Sequence, residues 1–307
     1  MLSIRKVGGH EVSSGGLFRE LRWSVLYCEL GFVMKILFVQ PRAELRPFIE
    51  SFWVFRSPVG MPEQDTSLAA PNGCAKLIIP YQNSLASVGE GCTKINHEGG
   101  LYFVGNRDSQ ALIHSTPRET GFVAIEFSPY GAFPFFGLPM GNMTNGLFEA
   151  ETIFSSWGRG LREALGNLEK VEDKVNYVQD QLVKLLNNGA RQNAIVEFCV
   201  HALRLSSGRI AVRELERRTG YSRRYLDMLF NMHVGISPKV LAGIFRFQKF
   251  YRKWAQGLPY DDFKEELYDY YYDQAHFTRA FKKMTGYAPQ KFSREVSNEF
   301  GRRLSLK

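Results

Sequence analysis

The stretch VRELERRTGYSRRYLDMLF, residues 212–230, gathers side chains whose types and spacing suit recognition of a polyanion. Leu226, Leu229 and Phe230 recur at three- and four-residue spacing and predict one buried helix face. Arg223, Arg224 and Asp227 fall away from that face and are free to meet a partner. An arginine fork matches the paired acceptors of a guanine edge or a phosphate. Ser222 stands where an N-cap belongs, its hydroxyl ready for the first unpaired N–H groups of the helix. Before it, a short amphipathic helix turns Leu215 inward, and Gly220 is able to take the left-handed backbone of a tight turn. The pattern reads as a helix-turn-helix, which holds its second helix proud so that it enters a major groove.

A glycine turn between two short helices is common, so the surrounding elements decide. Ser237 and Pro238 open a predicted helix running to Gln256. It is nearly 30 Å long at ~1.5 Å per residue and is decorated by Arg246, Lys249, Arg252 and Lys253. A second unit follows in YYDQAHFTRAFKKMTGYAPQKF, residues 271–292. Phe277 and Phe281 occupy the places of Leu226 and Phe230, 51 residues on, and Gly286 and Pro289 echo Gly235 and Pro238. This is an internal duplication. Two recognition helices on a rod of ~30 Å match the ~34 Å repeat of B-DNA. The predicted helices of this region are Gln192–Arg204, Ala211–Thr219, Ser222–His233 and Pro238–Gln256, then a shorter pair around Phe263 and Phe277.

Charge is distributed to match. The chain carries 39 Lys+Arg and 31 Asp+Glu, a net +8. Residues 201–307 hold 21 basic and 11 acidic side chains, +10, leaving 18 and 20, −2, for residues 1–200. One third of the chain thus carries all the net positive charge, which points to nucleic acid or an acidic membrane surface, or to a solvated basic face. With 44% hydrophobic and 23% charged residues the chain is too apolar to be disordered.

The four cysteines, Cys28, Cys74, Cys92 and Cys199, form no CxxC pair and are too few for a disulfide scaffold, which suits a reducing cytoplasm. No apolar run approaches the ~18 residues of a membrane span, so no membrane partner is expected. Residues 1–33 have early charges but neither a clean apolar core nor a cleavage site, and are expected to be an unstructured extension.

Residues 34–150 have β texture. KILFV, ESFWVF, AKLIIPY, LYFVG and GFVAIEF are short apolar runs separated by Pro, Gly and Asn, as in a barrel or sandwich. Residues 151–190 are helical. Leu161, Ala164, Leu168, Val171, Val175, Val178, Leu182 and Leu185 keep three–four spacing, a coiled-coil-like seam that either packs on its own domain or joins two chains. Gly166 and Asn167 leave open one helix or two. The polar stretch LLNNGAR marks the boundary with the basic region, residues 191–307.

The segments VGISPKVL…RFQK and YYDQAHFTRAFK…GYAP closely resemble the AraC/XylS family of transcription regulators, over the last hundred or so residues. LRPFIESFW (45–53), PNGCAKLI (71–78) and FVAIEFSPYGAFPFFG (122–137) resemble the sensor domain of one branch of that family. The resemblance implies an α+β chain. A β-rich, cupin-like barrel domain would lead through connecting helices to an all-α domain with two helix-turn-helix units joined by a long helix. It implies double-stranded DNA as partner and an effector or regulatory first domain followed by helices that often dimerise. Control by a small molecule in that domain stands beside control by abundance or by a protein partner. Two reading heads cover only about two turns of DNA, so a homodimer through residues before 190 is expected, and RNA polymerase is a further candidate partner. Carried over by position, the base-reading candidates are Arg224, Asp227 and Met228 in one helix and Gln274, Ala275, Thr278 and Arg279 in the other. Arginine pairs with guanine and glutamine with adenine. Ser222, Arg223, Lys282 and Lys283 are the phosphate candidates. His276 reads as a capping or packing residue.

The sequence departs from the family in the first helix of each unit. Glu216 and, on an ungapped alignment, Glu266 replace a small residue, and Tyr270 replaces the second turn's glycine. A bulky residue at positive φ is costly. Either that turn differs or a one-residue deletion shifts the short helix 262–268. Enzymatic activity is not expected. After Met34 the first half offers only His97 and His114, with no HxH pair, and Cys74 has no basic partner nearby in sequence. No metal or other cofactor is expected.

Overall fold

The computed structural model describes residues 22–27, 33–89, 92–187 and 191–306. The β-rich part contains β1 (Arg22–Tyr27), β2 (Val33–Val39), β3 (Ile49–Ser57), β4 (Leu68–Ala69), β5 (Lys76–Gln82), β6 (Leu85–Gly89), β7 (Cys92–Asn96), β8 (Tyr102–Val104), β9 (Ala111–Ser115), β10 (Thr120–Phe127) and β11 (Leu147–Glu149). They pair antiparallel in two sheets, ordered β1-β2-β3-β10-β5-β8-β11 and β4-β9-β6-β7.

The near-continuous apolar runs are explained by burial of the larger sheet on both faces. Successive side chains of a strand point to opposite faces. On β3, Phe52 and Val54 join the core shared with the helices, while Trp53 and Phe55 join the core between the sheets. On β10, Val123, Ile125 and Phe127 take the first side and Phe122 and Ala124 the second.

Strand β1 corrects the expectation that everything before Met34 lies outside the fold. Arg22 to Tyr27 pair residue by residue with Phe38 to Val33. The outer edge of β2 offers a row of backbone donors and acceptors, and a neighbouring segment satisfies them. The rest of that expectation, residues 1–21 and 28–32, lies outside the described residues.

After the short helix α1 (Phe133–Phe136) come α2 (Ala150–Gly166) and α3 (Val171–Asn187), two helices with a break between them. Their seam is buried inside the same chain. Val175, Val178 and Leu182 are fully buried, in one core with the strands. Arg42 ties the start of β3's approach to α3, its N–H donating to Gln179 Oε1 and its guanidinium pairing with Asp180. Of the two readings of the seam, packing on its own domain is the observed one.

The basic region folds as α4 (Ala194–Leu205), α5 (Val212–Thr219), α6 (Arg223–His233), α7 (Pro238–Ala255), α8 (Gln274–Thr285), α9 (Pro289–Glu295) and α10 (Glu299–Ser305). Helices α9 and α10 were not foreseen in the sequence. Helix α10 returns to the β-rich part. Phe300 enters the core between the sheets, edge-on to Trp53 and Phe55. Asp65 Oδ2 accepts from Phe300 N–H at 2.9 Å, and the buried Asn298 bridges the backbone of Leu68 and the Tyr251 hydroxyl.

Candidate nucleic-acid interface

Helix α5 is short because its hydrophobic content is small: Leu215 is its one fully buried residue, and Glu214 is shared by Arg217 and Arg218 on the solvent side. It ends at Gly220, whose φ of 75° is open to glycine at little cost, and the Gly220 N–H donates to Glu216 O. Helix α6 starts at once. Ser222 Oγ accepts from Tyr225 N–H, as its position predicts. Glu216 is the second cap: its carboxylate accepts from Arg223 N–H at 2.6 Å. The residue that departs from the family's small one therefore satisfies an otherwise unpaired donor at the positive end of α6.

Leu226, Leu229 and Phe230 are buried beneath α6, and Arg223, Arg224 and Met228 are exposed above it. Asp227 is half-buried and pairs with Arg223 at 3.7 Å along one helix turn. Ser222 is exposed at the rim. Beside this row lie two aromatic side chains that the sequence reading did not single out. Tyr221 and Tyr225 stack at 4.8 Å while both remain exposed. Their signal was an aromatic residue on each side of Ser222-Arg223-Arg224.

The second unit reaches the same end by another route. The segment Glu265–Asp269 is a 3-10 turn, not an α-helix, and Tyr270 follows it at φ −120°. No left-handed residue is needed, so the turn itself differs. Glu266 faces the scaffold: it pairs with Lys249 at 2.5 Å and with Lys253, and these two lysines hold its carboxyl below the ordinary range. Tyr270 receives a hydrogen bond from Lys249 and lies under its ammonium at 4.2 Å. Of the four cations expected to decorate α7, Lys249 and Lys253 are thus spent on this turn. Arg246 donates to Gly208 O at 2.8 Å, and Arg252 is exposed. Helix α7 itself stops at Ala255, close to the expected end.

Asp273 caps α8 by accepting from His276 N–H at 2.6 Å. Phe277 and Phe281 are buried, matching Leu226 and Phe230. Gln274, Ala275, Arg279, Lys282 and Lys283 are exposed and Thr278 is half-buried. The His276 ring packs edge-on against Tyr271 at 5.3 Å, the packing role expected of it. Lys283 is engaged within the chain: its ammonium lies 2.7 Å from Asp108 Oδ2. Burial alone would raise the Asp108 carboxyl; the hydrogen bonds from Lys283 and Asn145 outweigh it and hold the group below the ordinary carboxylate range.

Both units are docked on the β-rich part. Asn106 Nδ2 donates to Val234 O at 2.6 Å, Thr144 Oγ1 to Gly235 O at 2.5 Å, and the His233 ring meets Phe133 at 4.0 Å. A polar cleft of about 430 Å³ remains between the two parts, with Glu50, Arg204 and Arg252 in its walls. Among the described residues no group of three or more His, Cys, Asp or Glu is placed to hold a metal ion. No single described helix is long and apolar enough to cross a membrane.

Comparison with known proteins matches residues 215–295 to a family described as a helix-turn-helix domain, and residues 37–149 to a domain of unknown function, DUF6597. No curated protein sequence matches the chain. Among solved structures, ToxT from Vibrio cholerae is 12% identical, over 81% of this chain and 100% of its own, with a TM-score of 0.45. A second ToxT structure, bound to (E)-4-(8-methylnaphthalen-1-yl)but-3-enoic acid, is 13% identical over 80% of this chain and 98% of its own, with a TM-score of 0.44. The AraC-like transcriptional activator CuxR is 16% identical over 79% of this chain and 90% of its own, with a TM-score of 0.32. With its two capped helices raised on one scaffold, and a helix-turn-helix family matched across both, residues 215–295 of the chain form a helix-turn-helix domain, a fold that presents helices to duplex DNA.

Proposed function

We propose that the two recognition helices, residues 222–233 and 273–284, read two successive major grooves of one duplex. The observation that supports this most directly is the duplicated exposed row: Arg223, Arg224 and Met228 on α6, and Gln274, Ala275, Arg279 and Lys282 on α8. Each row stands on a helix whose opposite face is buried and whose first turn is capped. Arg224, Asp227, Met228, Gln274, Ala275, Thr278 and Arg279 read bases. Ser222, Arg223, Lys282 and Lys283 hold phosphates. The chain acts in the cytoplasm, as a homodimer on its operator and in contact with RNA polymerase. A small molecule in the β-rich domain sets its activity, a role supported by a cavity of about 140 Å³ between the sheets.

The test is binding of the full-length chain to duplex DNA, with genomic sites mapped first and affinities then measured across a salt series. Affinity should fall steeply with salt, because neutralised phosphates release counterions. Salt-independent binding, or none to any duplex, would sink the reading. Light scattering on the DNA-bound protein tests the homodimer.

A further inference from the structure

Helix α6 and the residue before its cap carry more apolar side chains than the scaffold uses. Leu226, Leu229 and Phe230 form the buried face. Outside that face, Tyr221, Tyr225, Met228 and Met232 follow one another at spacings of four, three and four residues, which sets them in one stripe along the helix. All four are exposed, between 37% and 54%. Tyr221 and Tyr225 stack at 4.8 Å with their planes 26° apart, so each ring holds the other in place. A contiguous row of exposed apolar side chains marks a surface that another molecule covers.

The second unit shows what this stripe replaces. Counted 51 residues on, Tyr225, Met228 and Met232 correspond to His276, Arg279 and Lys283. Helix α8 has no exposed large apolar side chain, and its second half carries Arg279, Lys282 and Lys283. Helix α6 has no lysine or arginine after Arg224. Asn231, the counterpart of Lys282, sits against the β-rich part: a Cβ added at Gly141 would lie 2.2 Å from its Oδ1. The two helices therefore offer different chemistries to the same polymer. Most groups on a major-groove edge are donors and acceptors, and the apolar one is the C5-methyl of thymine. Tyr225 and Met228 are three residues apart, about 4.5 Å along the axis at ~1.5 Å per residue. A base-pair step is about 3.4 Å, so the two side chains span two successive base pairs.

We propose that the first unit selects its half of the site by thymine methyl groups. Tyr225 and Met228 take the methyls of two successive base pairs by apolar contact, and Tyr221 and Met232 cover the flanks and exclude water. The second unit selects by hydrogen bonds from Gln274 and Arg279. The inference rests on the DNA-binding reading above. It adds Tyr225 to the base-reading residues and gives Met228 its chemistry. A cytosine in place of either thymine removes the methyl and presents an amino donor. The Met228 thioether is a weak acceptor, so that donor loses its water without compensation. The stack on Tyr221 holds Tyr225 in place before DNA arrives, which lowers the entropy lost on binding.

The experiment uses the full-length chain and a duplex from its mapped sites, with uracil replacing thymine at one position at a time. The exchange deletes a methyl and leaves the hydrogen-bonding edges and the phosphates as they were. Fluorescence anisotropy reads the affinity. Two adjacent positions should each lose about 4-fold, the effect of one buried methyl-sized group. The salt slope should stay the same, because no phosphate contact is lost. Met228→Ala should abolish the loss at one of these positions and Tyr225→Ala at the other, with an unchanged melting temperature as the check on folding. The uracil scan itself needs no variant. A site in which no uracil exchange lowers affinity overturns the proposal. Losses that persist in both variants overturn the assignment to Tyr225 and Met228. Variants that keep the wild-type preference for thymine but lose mass in light scattering give the stripe to a second copy of the chain, and also overturn it. Failure to bind any duplex is a separate result: it removes the DNA-binding reading, and the methyl reading with it.

Discussion

The ring of Phe300, on the last described helix, lies 5.9 Å from the ring of Phe55, in the core between the two sheets. The end of the DNA-binding region is therefore a structural part of the β-rich region. Phe300 is 1% exposed, which makes it as much a core residue as any on the strands.

Phe300→Ala should destabilise the β-rich part by about 3–5 kcal/mol, the usual cost of emptying a buried aromatic site. It should also free α10. Differential scanning calorimetry would show this as a lower melting temperature, with the single transition splitting in two. An unchanged melting curve would mean that α10 is not seated between the sheets.

The two kinds of DNA contact should separate. Arg224→Ala should cost about 1–3 kcal/mol at the specific site and relax preference at particular base positions. Lys282→Ala should weaken all sequences alike and lower the salt slope by about 1. Binding measured across a panel of altered operators checks both, and a uniform loss from Arg224→Ala would remove it from base reading.

Glu216 should matter through one hydrogen bond. Glu216→Ala leaves the Arg223 N–H without its carboxylate and should cost about 0.5–2 kcal/mol, the range for loss of an N-cap. Glu216→Gln keeps an acceptor and should cost less. Urea denaturation of the two variants decides it, and equal losses would refute the capping role.

The Asp108–Lys283 pair should give a pH dependence of known sign. Asp108 is depressed in the folded chain relative to its ordinary value, so its contribution is present above that value. It is lost as pH falls through the depressed value. The carboxyl carbon of Asp108, followed by NMR, should titrate below the ordinary aspartate range, and Lys283→Met should move it upward. No change on losing Lys283 would show that the contact is absent in solution.

Much of this molecule was legible in the sequence, because local periodicity and caps report directly on helices. The second unit could be placed from Phe277 and Phe281 together with Gly286 and Pro289, since they repeat Leu226, Phe230, Gly235 and Pro238 and the buried pair determines which helix face is left exposed. Ser222 and Pro238 marked helix starts for the same local reason. The apolar runs announced strands, while the cover of one sheet on both sides was decided by packing.

Spacing along the chain could not decide which surface consumes an apolar stripe. The seam from Leu161 to Leu185 suits a partner chain and its own domain equally well, and only packing selected the domain. The roles of Glu216 and Glu266 were hidden likewise. Each looks like the same departure from a small residue, yet one caps α6 and the other binds two lysines of α7, because a carboxylate's role depends on which donors the fold brings to it. Phe300 and Asp108 lie far in sequence from Phe55 and Lys283. Periodicity describes one segment at a time, and contacts between distant segments exist only once the chain has folded.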